Sequence, residues 1–375
     1  MPAVDFAREG LLDGLEGEAR AHRRQLLTRL LQDGFSEDEL RTAVAENRLA
    51  LLPVERVLGG TYSAAEIERR SGLNAESVVR IRRILGLPQP GPQDSVFSDE
   101  DVEAARSIKL FLDAGFDEER IIEISRVLGE GMARLSATIT AAFVETFLVP
   151  GDSEEDVALR FSGLAEQLTP ATGPILVAAF KNHLRDSVQR GMLGLAELQS
   201  GDTANTQEIA VCFADLVGFT RLGGQVEVRE LGTVAGRLAG LAASLATDPV
   251  RLVKTIGDAA MFVSREPRPL VEVALALVRA FEDEDLPSLR AGIAFGPAVV
   301  HAGDYYGNSV NLASRVTGVA RPGTVLCTRT IRDATRDEFH WSAAGRHRLK
   351  GVSGHTPLYR ARPREASEEA PPFPE

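Results

Sequence analysis

The sequence predicts an α+β protein with an all-helical first half, including a helix-turn-helix, and a second half in which strands alternate with helices. Leucines recur three and four residues apart between residues 10 and 50, which is the period of a helix. Two short helical segments follow, separated by a Ser-Gly-Leu break. Beyond the polar segment GDTANTQE, short apolar runs alternate with helical patterns, which indicates a layered α+β domain.

The length and charge of the chain narrow its domain count and its partners. A chain of 375 residues is long enough for two or three packed domains. The formal net charge is −12 at pH 7, which disfavours polyanion binding as the main activity of the whole chain. An acidic protein can still bind phosphate groups at one local site.

The cysteines and the apolar segments predict a cytoplasmic chain without a membrane span. Cys212 and Cys327 both lie in apolar runs, so we expect two buried thiols and not a disulfide or redox pair. The N-terminal segment is acidic and lacks the basic and then apolar pattern of a signal peptide. The longest apolar stretches, such as LVEVALALVRAF, are too short and too charged to cross a bilayer.

Capping residues mark the predicted helix starts of the first half. Ser36 precedes the acidic segment EDEL, and Ser63 and Asn74 stand before the two helices of the helix-turn-helix. The segment 85–95 is rich in proline and glycine and is predicted to be a loop. Helical patterns resume with FSDEDV and continue to about residue 200.

The helix-turn-helix offers one candidate function. The stretch from Tyr62 through FSDEDV resembles the DNA-binding module of MerR-type regulators, with Arg80, Arg82 and Arg83 on or near the recognition helix. The other interpretation is a stable three-helix unit reused as an interaction domain. Many acidic residues surround these arginines, which weakens the electrostatic attraction to DNA. We therefore do not expect DNA to be the main partner and keep DNA binding as the alternative.

Short strands and helices are predicted in turn along the second half. The predicted strands are EIAVCFA, RLVKTI, AAMFVS, RAGIAFG, PAVVHAG and GTVLCT. Helical patterns fall near residues 227–246, 269–282 and 308–319. The tail at 363–375 has the composition of a disordered segment.

Two aspartates lie at the ends of predicted strands. Asp215 follows the apolar run AVCFA, and Asp258 follows Gly257 in a predicted hairpin turn between KTI and AAMFV. Either aspartate alone is explained by a turn or cap. Two carboxylates on neighbouring strand ends, with loop carbonyls nearby, form the hard oxygen site that Mg²⁺ or Mn²⁺ prefers.

A third polar stretch, HAGDYYGNSVNLASRV, predicts a strand, a turn at Gly303 and a helix from about Asn308. Asn311 and Arg315 are four residues apart and therefore share one face of that helix. A capping or salt-bridge role would explain such a pair. A polar pair directed into a cleft is the interpretation we favour.

These stretches together resemble the class III nucleotide cyclases. The motifs FADLVGFT, KTIGDAAMF, LRAGIAFGPAV, GDYYGNSVNLASRV and RLKGV occur in the order and spacing of that family. The resemblance implies a ferredoxin-like catalytic domain at 207–362. The first half resembles the pH-responsive regulatory domain of actinobacterial adenylate cyclases, which implies a helical regulatory domain at 1–185 and a helical linker at 186–206.

The resemblance implies a role for each site residue. Asp215 and Asp258 match the aspartates that hold two Mg²⁺ or Mn²⁺ ions per site. The backbone amides of Leu216–Thr220 are expected to cradle phosphate oxygens, with Phe219 and Thr220 as substrate-binding residues.

A second group of residues matches those that bind the base and stabilise the transition state in this family. Lys254 and Asp304 match the pair that selects adenine, because lysine donates to N1 and aspartate accepts from the N6 amine. Asn311 is expected to orient the ribose, and Arg315 to stabilise charge on the transferring α-phosphate.

Two basic residues, Arg290 and Lys350, match the residues that bind the triphosphate in this family. In the family, one chain supplies the metal-binding aspartates and Arg290, and a second chain supplies the remaining residues. A chain with one full set of motifs therefore implies a homodimer with two equivalent sites.

The predicted function is an adenylate cyclase that converts ATP to 3′,5′-cyclic AMP and diphosphate, is autoinhibited by its N-terminal domain and is activated at acid pH. The chain has six histidines, the residue type whose charge most often changes near neutral pH. Carboxylates with a raised pKa could do the same job, so the sequence singles out no sensor. The helical domain could hold an apolar ligand, but a core filled by its own side chains is the default interpretation. The alternatives are a DNA-binding regulator with a nucleotide-sensing cyclase-like domain, and a catalytically silent scaffold dimer.

Overall fold

A computed structural model of the chain describes residues 4–149, 151–198, 206–219, 228–284, 286–301 and 303–364. The chain divides into two compact units, Met1–Leu193 and Gly194–Glu375, here called the helical unit and the sheet unit. Each unit has its own clusters of buried apolar side chains. The predicted disordered tail lies, from residue 365 onward, outside the described residues.

The first half of the chain is helical, as predicted. A short 3-10 helix covers Leu49–Leu51. Helices α1 to α8 cover Gly17–Gln32, Glu37–Ala45, Leu52–Leu58, Ala64–Ser71, Ala75–Ile84, Asp99–Asp113, Glu118–Phe147 and Glu154–Leu198.

The predicted helix starts are confirmed by the caps. The Ser36 hydroxyl accepts from the Glu39 N–H while the Glu39 carboxylate accepts from the Ser36 N–H, which forms a capping box at α2. The Asn74 side chain accepts from the Ser77 N–H at the start of α5. A second capping box at Ser63 opens α4.

The helix-turn-helix consists of α4 and α5. Gly72 ends α4 in the left-handed conformation, with φ of +79°, which is the region that favours glycine. Ile67, Leu73 and Val78 are buried around Phe97, whose backbone pairs with Tyr62 in an isolated bridge. The module therefore closes on its own small core.

The second half forms one mixed sheet with helices. Strands β1 to β8 cover Thr206–Leu216, Arg251–Ile256, Ala259–Ser264, Leu289–His301, Asp304–Tyr306, Thr324–Thr328, Phe339–His347 and Thr356–Pro363. Helices α9 to α12 cover Val228–Leu245, Pro267–Asp283, Asn308–Val319 and Arg329–Ala334.

The sheet has the strand order β2-β3-β1-β4-β6-β8-β7, with β5 paired to β4. Strand β1 runs antiparallel to both β3 and β4. The succession β1-α9-β2-β3-α10-β4 with the order β2-β3-β1-β4 is the ferredoxin-like arrangement that the resemblance implied. Cys212 and Cys327 are buried free thiols in the core between sheet and helices, as predicted.

Strand β4 is longer than the sequence predicts. The Gly296-Pro297 pair suggested a break between RAGIAFG and PAVVHAG, whereas one strand runs from Leu289 to His301. Proline is tolerated there because β6 pairs only with Arg290–Ile293 and β5 only with Val299–His301. Between those ladders one edge of β4 is unpaired, so the missing N–H costs no hydrogen bond.

Candidate functional site

The two predicted metal-binding aspartates lie on neighbouring strand ends of the sheet unit. Asp215 is next to last in β1 and lies opposite Ala259 of β3. Asp258 lies in the turn between β2 and β3, and its carbonyl accepts from the Leu216 N–H at 3.0 Å. This backbone hydrogen bond joins the tip of the hairpin to the end of β1.

The donor set fits a magnesium-type ion. Within the described ranges no cluster of three or more His, Cys, Asp or Glu side chains could hold a metal. A pair of carboxylates is nevertheless what Mg²⁺ uses when substrate phosphates and water complete its shell. Asp215 and Asp258 are therefore the residues that would hold it.

Arg290 lies directly beside Asp215. The two residues are register partners on β4 and β1, and the Arg290 Nη2 and Nε atoms lie 2.6 and 3.1 Å from the same Asp215 oxygen, Oδ2. The remaining branch of the guanidinium, Nη1, donates to the Gly318 carbonyl at 3.3 Å. The predicted triphosphate residue is thus paired with a predicted metal ligand.

The predicted phosphate-binding loop is only partly available. The Leu216 amide donates to Asp258, and the Val217 amide donates to the Ser288 carbonyl at 2.8 Å. Neither can reach a phosphate without losing a backbone hydrogen bond, so that expectation is wrong for these two amides. Gly218 turns the chain with φ of +78°, Phe219 packs against the core, and Thr220 lies outside the described residues.

The predicted base-selecting residues lie together. The Lys254 Nζ atom on β2 forms an ion pair with the Asp304 Oδ2 atom. The other carboxylate oxygen of Asp304 accepts from the Tyr305 N–H at 2.9 Å. Lys254 and Asp304 are each about a quarter to a third exposed at the side chain, so a ligand can reach both groups.

Helix α11 presents the predicted ribose and phosphate residues on its outer side. Ser309, Ala313, Val316 and Thr317 are buried against the sheet, whereas Asn311 and Arg315 are exposed. Neither of these two side chains has a hydrogen bond or ion pair to another residue within the described part of the chain. The sequence placed them correctly on one helix face, but that face is open to solvent.

Two residues that the sequence reasoning missed hold α11 in place. Gly292 of β4 lies so close to the helix that an added Cβ would be 2.6 Å from the Thr317 hydroxyl and 2.8 Å from the Ala313 carbonyl. The Thr317 hydroxyl lies within hydrogen-bonding distance of the Phe213 and Ala313 carbonyls. A glycine inside a predicted strand was the available signal, because it often marks a close backbone approach.

Lys350 is exposed beside the buried Leu349, between β7 and β8. No hydrogen bond or ion pair joins its amine to another described residue. The residues of the site therefore include two pairs, Asp215 with Arg290 and Lys254 with Asp304. The side chains of Asp258, Asn311, Arg315 and Lys350 have no hydrogen bond or ion pair to another described residue.

Two of the three helix-turn-helix arginines have partners inside the helical unit. Arg80 forms an ion pair with Glu118 at 2.6 Å. Arg82 donates to the Pro88 carbonyl and lies over the Phe97 ring. These contacts give two of the three arginines a structural explanation and do not favour the DNA-binding alternative.

The helical unit contains a surface cleft between α1 and the start of α8, lined by polar and charged side chains. Its lining includes Arg24, Thr28, Arg29 and Glu155, which does not suit an apolar ligand. Such a ligand stays a prediction. In the part of the chain that the structure describes, no helix is both long and apolar enough to cross a membrane.

Comparison with known families gives two matches along the chain. Residues 4–188 match the model of the adenylate cyclase regulatory domain. Residues 202–360 match the model of the adenylate and guanylate cyclase catalytic domain.

Individual relatives and solved structures match different shares of the chain. The pH-sensitive adenylate cyclase MT1302 of Mycobacterium tuberculosis is 40% identical over 371 residues, which cover 96% of this chain and 93% of the relative. An adenylate cyclase of Streptomyces coelicolor is 33% identical over 75% of this chain and 74% of its own length. The crystal structure of the adenylyl cyclase CyaB from P. aeruginosa aligns at 22% identity and a TM-score of 0.39, over 42% of this chain and 95% of that chain.

Proposed function

Because this chain belongs to the class III adenylate cyclases that carry an N-terminal regulatory domain, we propose that it converts ATP to 3′,5′-cyclic AMP and diphosphate at sites formed between two copies of the chain. The observation that carries the proposal is which site residues have a partner within one chain and which do not. Asp215 is paired with Arg290 and Lys254 with Asp304, whereas Asn311, Arg315 and Lys350 are exposed without a described partner.

The metal half of each site is proposed to consist of Asp215 and Asp258. Two Mg²⁺ or Mn²⁺ ions held there would lower the pKa of the ribose 3′-hydroxyl and neutralise the triphosphate. The two strand ends are held together by the Leu216–Asp258 backbone hydrogen bond, so the carboxylates are supported by the rigid sheet.

The base half is proposed to select adenine through Lys254 and Asp304. The lysine would donate to N1 of adenine. The Asp304 Oδ2 atom, which forms the ion pair with Lys254, would accept from the N6 amine. The Tyr305 N–H holds the second Asp304 oxygen at 2.9 Å, which keeps the carboxylate plane oriented toward the base.

The partner chain is proposed to complete each site with Lys254, Asp304, Lys350 and the two polar residues of α11. Asn311 would orient the ribose, and the Arg315 guanidinium would stabilise charge developing on the α-phosphate. Lys350 would contact the triphosphate. An exposed arginine without an internal partner is poorly explained by a role in stability. It is well placed to bind the phosphate of a nucleotide whose metal ions are held by the other chain.

Exposed apolar side chains support a homodimer in both units. Ile256, Val299 and Tyr306 are exposed near the base-selecting strands. In the helical unit, α8 exposes a stripe of apolar side chains with helical spacing at Val177, Phe180, Leu184 and Val188. Exposed apolar side chains that follow one helix face are typical of an interface.

The helical unit is proposed to inhibit the catalytic domain and to release it at acid pH. The regulatory-domain match supports regulation, and the relative named as pH-sensitive covers nearly the whole chain. The predicted domain boundaries and the linker at 186–206 stay part of this proposal. Residues 199–205 of that linker lie outside the described residues.

Mixing two inactive variants tests the shared site. Asp215→Asn and Arg315→Ala chains are each expected to be inactive, because each removes one essential group from both sites. A heterodimer of the two has one site with every native residue. Random exchange makes half of the dimers heterodimers, so activity should recover to about a quarter of the wild-type value. Recovery in the mixture of Asp215→Asn with Asp258→Asn, which never completes a site, would contradict the proposal.

Regulation is tested by cyclic AMP and cyclic GMP production at pH 5.5 and pH 8, by the full chain and by residues 205–375, with Mn²⁺. The shorter piece keeps the core clusters of the sheet unit. A strong pH dependence confined to the full chain is expected. Identical pH profiles for both proteins would exclude the helical unit as the sensor, and absence of any cyclic nucleotide from either would exclude the enzyme.

A further inference from the structure

The Arg290–Asp215 ion pair bears on how the metal enters the site, an inference that rests on the proposed function. All three branches of the Arg290 guanidinium are engaged. Two nitrogens contact Asp215 Oδ2 and the third contacts the Gly318 carbonyl near the end of α11. A carboxylate and a helix C-terminus both attract a cation, so the arginine is held at Asp215 by two favourable contacts.

A cation that neutralises Asp215 also opposes a second cation at the same carboxylate. The metal must approach an aspartate whose charge is already balanced, and it must overcome repulsion from the guanidinium. The Asp215 and Arg290 side chains are about a quarter exposed, so solvent screening makes this opposition modest and not prohibitive.

The triphosphate offers Arg290 another partner. Phosphate oxygens bind a guanidinium fork at least as well as a single carboxylate oxygen does. Arg290 would exchange its contact with Asp215 for the phosphate oxygens if a metal ion and the triphosphate were bound together. The ionic contacts are thus exchanged, and no charge is left unpaired.

We propose that Arg290 is an internal counter-ion of Asp215 that opposes metal binding in the absence of nucleotide and transfers to the triphosphate when the nucleotide binds. The exchange makes metal and nucleotide binding mutually favourable, since each relieves the cost of the other. Metal alone therefore binds weakly to the resting enzyme.

The experiment is Mn²⁺ binding to the full-length chain without nucleotide, followed by the electron paramagnetic resonance signal of free Mn²⁺. Arg290→Gln is expected to bind Mn²⁺ about three- to fivefold more tightly than the wild type, as loss of a partly exposed ion pair implies. Arg290→Lys, which keeps the charge, should stay near the wild-type affinity. Arg290→Met, which keeps the aliphatic stem, gives a second measurement if the glutamine variant does not fold.

Arg237 provides a matched control in the same unit. Its Nε and Nη2 atoms also pair with one carboxylate, that of Glu284, and Arg237→Gln should leave Mn²⁺ affinity unchanged. Unchanged or weaker Mn²⁺ binding by both Arg290→Gln and Arg290→Met would overturn the inference.

Two outcomes separate this inference from the proposed function. If Asp215→Asn binds Mn²⁺ as the wild type does, the metal is not at Asp215, and both the inference and the metal assignment fail. If Arg290→Gln binds Mn²⁺ more tightly but the wild-type chain makes no cyclic nucleotide, the counter-ion role stands and the proposed reaction fails.

Discussion

The seating of α11 on the sheet can be tested by replacing Gly292 with alanine. Gly292 lies on β4 beneath the helix that carries Asn311 and Arg315. A Cβ at this position would be 2.6 Å from the Thr317 hydroxyl, 2.8 Å from the Ala313 carbonyl and nearer still to the Thr317 amide nitrogen. Because these atoms belong mostly to the helix backbone, a side-chain rotation cannot relieve the clash.

The structure allows the effect to be estimated. Ordinary contact for a Cβ begins at 3.4 Å, so the helix must move away from the sheet by about 1 Å. Inserting a methyl group into a packed interior costs about 1–3 kcal/mol. For a domain of this size that corresponds to a loss of about 3–10 °C in Tm. A shift of about 1 Å in catalytic groups lowers the rate by roughly 100-fold.

The assay combines thermal unfolding with steady-state kinetics for ATP. Gly292→Ala is expected to lower both Tm and kcat, with kcat falling further than destabilisation at the assay temperature explains. Gly240→Ala is the matched control, because Gly240 lies within α9 and an added Cβ there meets nothing within 4 Å. Alanine in an open helical position should raise stability by up to about 1 kcal/mol and leave kcat unchanged.

A Gly292→Ala chain with unchanged Tm and kcat would refute the reasoning that this close contact holds α11 in its working position. Reduced Tm with unchanged kcat would refute the second step only. In that case the helix would tolerate a displacement of about 1 Å without loss of catalytic geometry.

Three further predictions concern the base, the thiols and the helical unit. Lys254→Gln should lower kcat/KM for ATP by about 10- to 100-fold and reduce the preference for ATP over GTP, since Asp304 loses its partner and the base loses its donor. An unchanged ratio of kcat/KM for ATP to kcat/KM for GTP would contradict the assignment. Burial raises the pKa of both cysteine thiols, so iodoacetamide at pH 8 should modify neither until the chain is denatured, as mass spectrometry can show. A hydrogen bond from the Arg160 side chain and, to a smaller extent, one from the Val149 N–H lower the pKa of Asp152. Its stabilising contribution is therefore complete above the unfolded pKa and is lost only below about pH 4. Asp152→Asn should lower Tm equally at pH 5.5 and pH 8, and a smaller loss at pH 5.5 would contradict this.

The local elements of the fold followed from sequence because they depend on short-range chemistry. Ser36, Ser63 and Asn74 mark helix starts, since their side chains satisfy amides that the first turn leaves free. The turn between α4 and α5 required Gly72 for its positive φ. By contrast, the single strand through Pro297 was missed, because whether proline disrupts a strand depends on which neighbours pair with it there.

The sequence by itself determined which chemical groups this protein has and how they are spaced. The motif set pointed to the family, and the spacing of Asn311 and Arg315 put both on one helix face, because helix geometry is local. Tertiary structure alone decided which groups meet. It paired Arg290 with Asp215 and Lys254 with Asp304, and it left α11 seated on Gly292 with its polar face open. These outcomes depend on strand order and register between segments far apart in the chain, and no local rule of sequence encodes them.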